Sequence, residues 1–210
     1  MCFGMERELE SVTAWTRGAR HVPSPPVEPS VGARREIGPS RTAAAARGIE
    51  RLELDYLAYQ PSNVIAPIIS HFLQRENEGS RTRVLLVSRE EEGVGIIGGA
   101  ALAGRSGGIL MQDNGFGNAL TALATFAVAY HLPILIAANT RGGLGEYNSM
   151  IHTISGGVPA MLRAIDVPVF TLDRSHEAVD WEATLYEAGR HAVMTHRPVV
   201  VLMQFWGIEP

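Results

Sequence analysis

Residues 84–118 read VLLVSREEEGVGIIGGAALAGRSGGILMQDNGFGN. Val84 to Ser88 is a short run of valine and leucine, the kind of segment that is buried on both faces of a parallel sheet. Glu91 to Ala103 reads as a helix of small residues, and Gly108 to Gln112 as a second apolar run of strand length. Strand, helix and strand in close succession form a βαβ unit, whose connection is right-handed.

The same alternation extends outward in both directions. Toward the N-terminus, Leu52 to Tyr59 reads as a strand interrupted by Asp55, and Pro61-Ser62-Asn63 opens a helix to about Gln74 with Val64, Ile65, Ile68, Ile69 and Phe72 on one face. Toward the C-terminus come an alanine-rich helix from Asn118 to Tyr130, a strand from Pro133 to Ala138 and a glycine-rich loop from Thr140 to Asn148. A helix from Gly157 to Ile165, a strand from Val167 to Leu172, a helix from Glu177 to Met194 and a strand from Pro198 to Met203 complete the pattern. The expected architecture is α/β, with a mostly parallel central sheet covered by helices on both faces. Residues 49–210 would form this domain. Residues 1–48 read as an extension, because His21 to Ser40 carries five prolines and no apolar period. Short helices at 6–17 and from Thr42 to Arg47 would need something to pack on.

Composition removes several function classes. The formal net charge of −4 gives no electrostatic case for nucleic acid or an anionic membrane surface. All the basic residues are arginine. A single cysteine, Cys2, rules out a disulfide framework and cysteine-based metal sites. The first ten residues lack the apolar core of a secretory signal, and no apolar run reaches membrane-spanning length, so a cytoplasmic protein is expected.

In an open α/β sheet, ligands bind beyond the C-terminal strand ends. Three polar or glycine-rich segments fall there: residues 88–93, 112–118 and 139–143. By composition alone, Glu90, Glu91 and Glu92 make a favourable, solvated first helical turn. Gly93, Gly95, Gly98 and Gly99 weigh against that plain reading, since glycine inside a helix costs stability and invites close approach by a helix or ligand. Gly115-Phe116-Gly117 lacks the third glycine of a dinucleotide fingerprint, and a tight turn capped by Asn118 accounts for it equally well. Arg141, among the glycines at 142, 143 and 145, would clamp an anion or sit in a mobile loop. His71 and His131 read as ordinary helix-associated residues. His152 follows the loop, where proton transfer is one reading and a structural role the other. Trp181, Phe205 and Trp206 read as packing residues.

Arg89 to Gly95, Gly99 to Gly104, Met111-Gln112, Gly115 to Asn118, Leu132 to Leu135 and Arg141-Gly142 together resemble the alpha subunit of sulfopyruvate decarboxylase and the matching region of phosphonopyruvate decarboxylase. The resemblance spans about residues 50 to 205 and is densest from 88 to 145. It implies the three-layer thiamine-diphosphate-binding fold and, within it, the pyrimidine-binding domain. By resemblance Glu91 meets N1′ of the cofactor's aminopyrimidine and promotes the tautomer that takes a proton from thiazolium C2. Gln112, Asn114, Gly115, Phe116 and Asn118 are expected beside the pyrimidine. Ser62, Asn63 and Arg141 are expected to bind the substrate, and His152 is a further catalytic candidate. Arginine meets anionic head groups with paired hydrogen bonds.

The diphosphate-binding half of such enzymes carries a Gly-Asp-Gly motif, which does not occur here. No metal ligand is therefore assigned to this chain. A separate beta subunit is expected to hold the diphosphate and Mg²⁺, with the cofactor across the interface of a heterotetramer or larger assembly. The implied reaction is decarboxylation of a small acidic 2-oxo acid such as sulfopyruvate or phosphonopyruvate. A carboligating synthase subunit, a non-catalytic scaffold subunit and an NAD-binding domain are the competing readings.

Overall fold

The computed structural model describes residues 41–143, 146 and 148–205. The helix expected at 6–17 and Trp206 lie outside them. Helix α1 (Arg41–Glu50) comes first, followed by β1 (Tyr56–Tyr59), α2 (Ala66–Asn77), β2 (Arg83–Leu86), α3 (Glu90–Leu102) and β3 (Gly107–Gln112). A single 3₁₀ turn, Asp113–Gly115, leads into α4, which runs from Phe116 to Ala122 and widens to a π-helical turn over Leu123–Val128. Then come β4 (Leu135–Asn139), α5 (Ser149–Ala164), β5 (Val169–Leu172), α6 (Ala178–Thr195) and β6 (Val199–Met203). The six strands form one sheet in the order β2-β1-β3-β4-β6-β5, and every pairing is parallel. Among the described residues no helix is long and apolar enough to cross a membrane.

Alternation along the strands sorts the interior into two layers. Leu57, Leu110, Leu135, Ala137, Val199 and Val201 face α1, α2 and α6, where they meet Ile49, Ile68, Phe72 and Trp181. Ala58, Ile109, Met111, Ile136 and Val200 face α3, α4 and α5, where they meet Val94, Ile97, Phe116 and Leu162. The central strands β4 and β6 are buried at every residue, as an apolar run covered on both faces must be.

The domain begins earlier than residue 49. Ala44, Ala45, Ala46 and Ile49 of α1 are core residues packed with Trp181 and Leu185 of α6. Gly48 permits this crossing, because a Cβ there would overlap the Glu182 backbone. Arg47 and Arg51 pin the other side of Glu182 at 2.8 and 3.2 Å. The support that the Thr42–Arg47 helix requires is therefore α6.

Asp55 precedes β1 instead of interrupting it. Its carboxylate accepts from Ser106 N (2.9 Å) and Ser106 Oγ (3.1 Å), and from Arg81 Nη2 (2.6 Å), which ties together the segments that enter β1, β2 and β3. Helix α2 starts at Ala66 with Pro67 in its first turn, leaving Pro61-Ser62-Asn63 as a loop over the strand ends. Helix α5 starts at Ser149, two turns before the expected Gly157, because the Asn148 side chain accepts from Met150 N at 3.2 Å and caps it. Pro159 lies inside this helix and withholds the N–H that would have met the Ser155 carbonyl.

Candidate functional site

The three glutamates at the start of α3 have three different surroundings. Arg89 is in extended conformation (φ −144, ψ 152), so the helix begins abruptly at Glu90. Glu92 reaches back to accept from Ser88 N at 2.8 Å, satisfying a donor outside the helix. Glu90 is buried; its carboxylate accepts from Asn118 Nδ2 at 2.9 Å and lies against Gly115, where a Cβ would overlap it. Glu91 pairs through Oε1 with Arg89 Nε at 2.6 Å, while its Oε2 is buried and has no hydrogen-bond partner.

Gly93 and Gly98 of α3 point into the protein, but Gly95 and Gly99 point outward, with nothing within 4 Å of a Cβ built on either. Glu91, Gly95 and Gly99 are spaced four residues apart and share one helix face. That face also exposes Ile96 and Leu102 nearby. An uncovered stripe of glycine and apolar side chains beside a carboxylate is suited to the close approach of another surface.

The second half of the site lies on the other face of the sheet. A cleft of about 500 Å³ beyond the ends of β1 and β3 is lined by Tyr59, Ser62, Asn63, Gln112 and Arg141, with Ile69 behind them. All three residues expected to bind substrate thus meet in one cavity together with Gln112. Gln112 Nε2 donates to Asn114 Oδ1 at 2.8 Å and so connects this cleft to the turn that carries Gly115.

Arg141 is held in a fork: Nε donates to Glu146 Oε2 at 2.6 Å and Nη2 to Glu146 Oε1 at 3.0 Å. The Arg141 guanidinium holds the Glu146 carboxyl well below its ordinary range, at about 2. His152 stands apart from the cleft. Its Nε2 lies 3.0 Å from the Glu146 carbonyl oxygen, so the ring steadies the loop that carries the Arg141–Glu146 pair. Phe116 also departs from expectation. It is fully buried in the layer under α3 and α4, where it packs against the protein's own core and offers no ring to a cofactor.

Two residues escape the sequence reading. Asp113, fully buried, accepts at Oδ2 from Thr140 Oγ1 (2.7 Å) and Arg141 N (3.0 Å), and at Oδ1 from Ser155 Oγ (2.9 Å). Burial pushes its carboxyl above the ordinary range, against the opposing effect of these hydrogen bonds. Asn139, at the end of β4 and paired in register with Gln112, is fully buried with neither amide atom partnered. Both lie in the strand-end segments 112–118 and 139–143, but an aspartate or asparagine after a strand looks like any polar loop residue, and neither is singled out there.

No family model matches the chain. Curated relatives do. Sulfopyruvate decarboxylase subunit alpha of Methanococcus maripaludis is 27% identical over 155 residues, 73% of this chain and 89% of the relative. The same subunit of Methanothermobacter thermautotrophicus is 33% identical over 122 residues, 57% of this chain and 72% of the relative. Phosphonopyruvate decarboxylase of Streptomyces viridochromogenes is 26% identical over 111 residues, 53% of this chain but 27% of that protein. Among solved structures, 2-oxoglutarate:ferredoxin oxidoreductase from Magnetococcus marinus matches the fold with a TM-score of 0.60 at 16% identity, over 78% of this chain and 28% of that one. By its match across most of the length of these alpha subunits, the chain belongs to the family of sulfopyruvate decarboxylase subunit alpha.

Proposed function

We propose that this chain is the pyrimidine-binding subunit of a thiamine-diphosphate-dependent decarboxylase of small acidic 2-oxo acids, with sulfopyruvate and phosphonopyruvate as the first substrates to try. The observation that carries the reading is the Glu91 carboxylate oxygen, buried without a partner at the head of an uncovered glycine face. Leaving a buried polar atom unpaired costs roughly 1–3 kcal/mol, so an arriving donor gains what the free chain lacks. An aminopyrimidine ring brings N1′, an acceptor when neutral and a donor once protonated, so that one proton would be shared between it and the Glu91 carboxyl. When bound, thiamine diphosphate supplies the electron sink for the pair left by departing carbon dioxide.

The chain's own residues do the rest. Glu90 fixes the Gly115 turn against α3 through Asn118, so that the neighbouring Glu91 is presented from a rigid element. Gln112, Asn114, Gly115 and Asn118 border the pyrimidine in this reading. Arg141, Ser62 and Asn63 hold the substrate's acidic groups in the cleft, with Arg141 oriented by Glu146. The diphosphate and Mg²⁺ fall to a partner beta subunit that covers Gly95 and Gly99. The names of the alpha-subunit relatives support a partnered assembly.

The test is purification of the tagged full chain together with whatever subunit accompanies it, followed by assay of carbon dioxide release from each oxo acid with and without thiamine diphosphate. Cofactor-dependent release supports the reading. An assembled complex that binds the cofactor but releases nothing from either acid moves the substrate assignment elsewhere. A complex with no affinity for the cofactor removes the proposal.

A further inference from the structure

We propose that Asp113 is the positioning residue of the substrate cleft, fixing the backbone at Thr140–Arg141 and the Ser155 face of α5 so that the Arg141 guanidinium is correctly placed. This rests on the reading of Arg141 as an anion-recognising residue.

Asp113 begins the turn that carries Asn114 and Gly115, and besides the Asn114 backbone of its own turn its carboxylate meets donors from other elements. Two donors come from the β4–α5 connection and one from α5 itself. The Arg141 main-chain N–H can only donate, so its pairing with the Asp113 carboxyl oxygen has one polarity. Arg141 is therefore held at two points: its backbone by Asp113 and its side chain by Glu146. His152, one turn before Ser155 on α5, holds Glu146 through its carbonyl. A buried carboxylate is costly without its full set of partners. Here the two donors from the loop fix Arg141 relative to Gln112, which immediately precedes Asp113 and lines the same cavity.

Two measurements test the proposal. The first is hydrogen exchange on the full chain without its partner, comparing wild type with Asp113→Ala, Asp113→Asn, Thr140→Val and Ser155→Ala. Asp113→Ala should expose the Arg141 amide and the first turns of α5, while the β3–β4 ladder keeps its protection. Asp113→Asn, which can still accept from Arg141 N, should restore most of it. Continued protection of Arg141 in Asp113→Ala would overturn the proposal. So would loss of protection throughout the sheet, since Asp113 would then be a general core strut. The second is steady-state kinetics of the assembled enzyme. Asp113→Ala should raise the substrate KM about ten-fold or more with kcat within about three-fold, and Thr140→Val and Ser155→Ala less. An equal fall in kcat with unchanged KM also overturns it. Should the wild-type complex fail to turn over any oxo acid, the proposed function falls, while the exchange pattern still decides what Asp113 holds.

Discussion

Glu90 and Asn118 meet through a 2.9 Å hydrogen bond across the Gly115 turn, so the first of three consecutive glutamates is spent on holding two helices together. The second, Glu91, keeps an oxygen in reserve. This contrast makes the two neighbours separable by experiment.

Glu91→Gln should reduce kcat of the assembled enzyme by about 10²–10⁴-fold, the usual range for loss of a positioned proton-transfer group, and leave the urea midpoint of the chain nearly unchanged. Glu90→Ala should behave oppositely in the isolated chain, lowering stability by about 1–3 kcal/mol as Asn118 loses its acceptor. Urea titration of both variants beside turnover of the complex decides it. A Glu91→Gln complex with full activity would remove this residue from the chemistry.

Gly95→Leu and Gly99→Leu place side chains where a Cβ meets nothing within 4 Å. The variant chains should therefore fold as well as wild type but fail to assemble with the partner subunit. Sedimentation of the mixed subunits reports assembly, and circular dichroism of each variant alone reports folding. Normal assembly would show that the partner covers some other face.

Arg141→Lys retains a charge but cannot reproduce the two-point contact with Glu146. An increase of about ten-fold in substrate KM is expected in the assembled enzyme, with a smaller change in kcat. Unchanged kinetics in an intact complex would discard the assignment of Arg141 to substrate binding.

Acid should destabilise the chain in a defined window. The Arg81 hydrogen bond, helped by Ser106, holds the Asp55 carboxyl at about 2, and Arg141 holds Glu146 at about 2. In the unfolded chain these groups return to about 3.9 and about 4.3. Between those limits the unfolded state binds more protons, so stability rises with pH there and is lost as pH falls from about 5 toward about 2. Urea midpoints measured from pH 2.5 to pH 6 should follow this slope, and Asp55→Asn should flatten part of it. An unaltered slope in that variant would show that Asp55 carries no linkage.

Much of the architecture was legible because it rests on contiguous apolar runs. Val84–Ser88 and Gly108–Gln112 fall on β2 and β3 within a few residues, and the all-parallel sheet follows from their alternation with helices. The errors arise where local signals conflict with tertiary packing. The helix expected from Gly157 instead begins at Ser149, started by the Asn148 cap and packed through Val158 and Leu162. Ala44–Ala46 have no periodic contrast that would mark a buried face; Trp181 and Gly48 decide it from outside the segment. The site is legible only as far as its residue types are distinctive. A glutamate followed by clustered glycines stands out. Phe116 reads identically whether it faces a ligand or the core, and Glu146 gives no sign that it will grip Arg141 five residues back.

The sheet itself partitions the candidate site, with Glu91 and α3 on one face and the Arg141 cleft on the other. On the proposed assignment, a change in the residues that would recognise an acid's tail therefore alters a different layer from the one holding Glu91. Such a scaffold can diversify in substrate range by drift on one side while purifying selection guards the other. The Asp113 hydrogen bonds and the Gln112–Asn114 contact join the two, and it is there that inherited changes on the recognising side would first be felt by the chemistry.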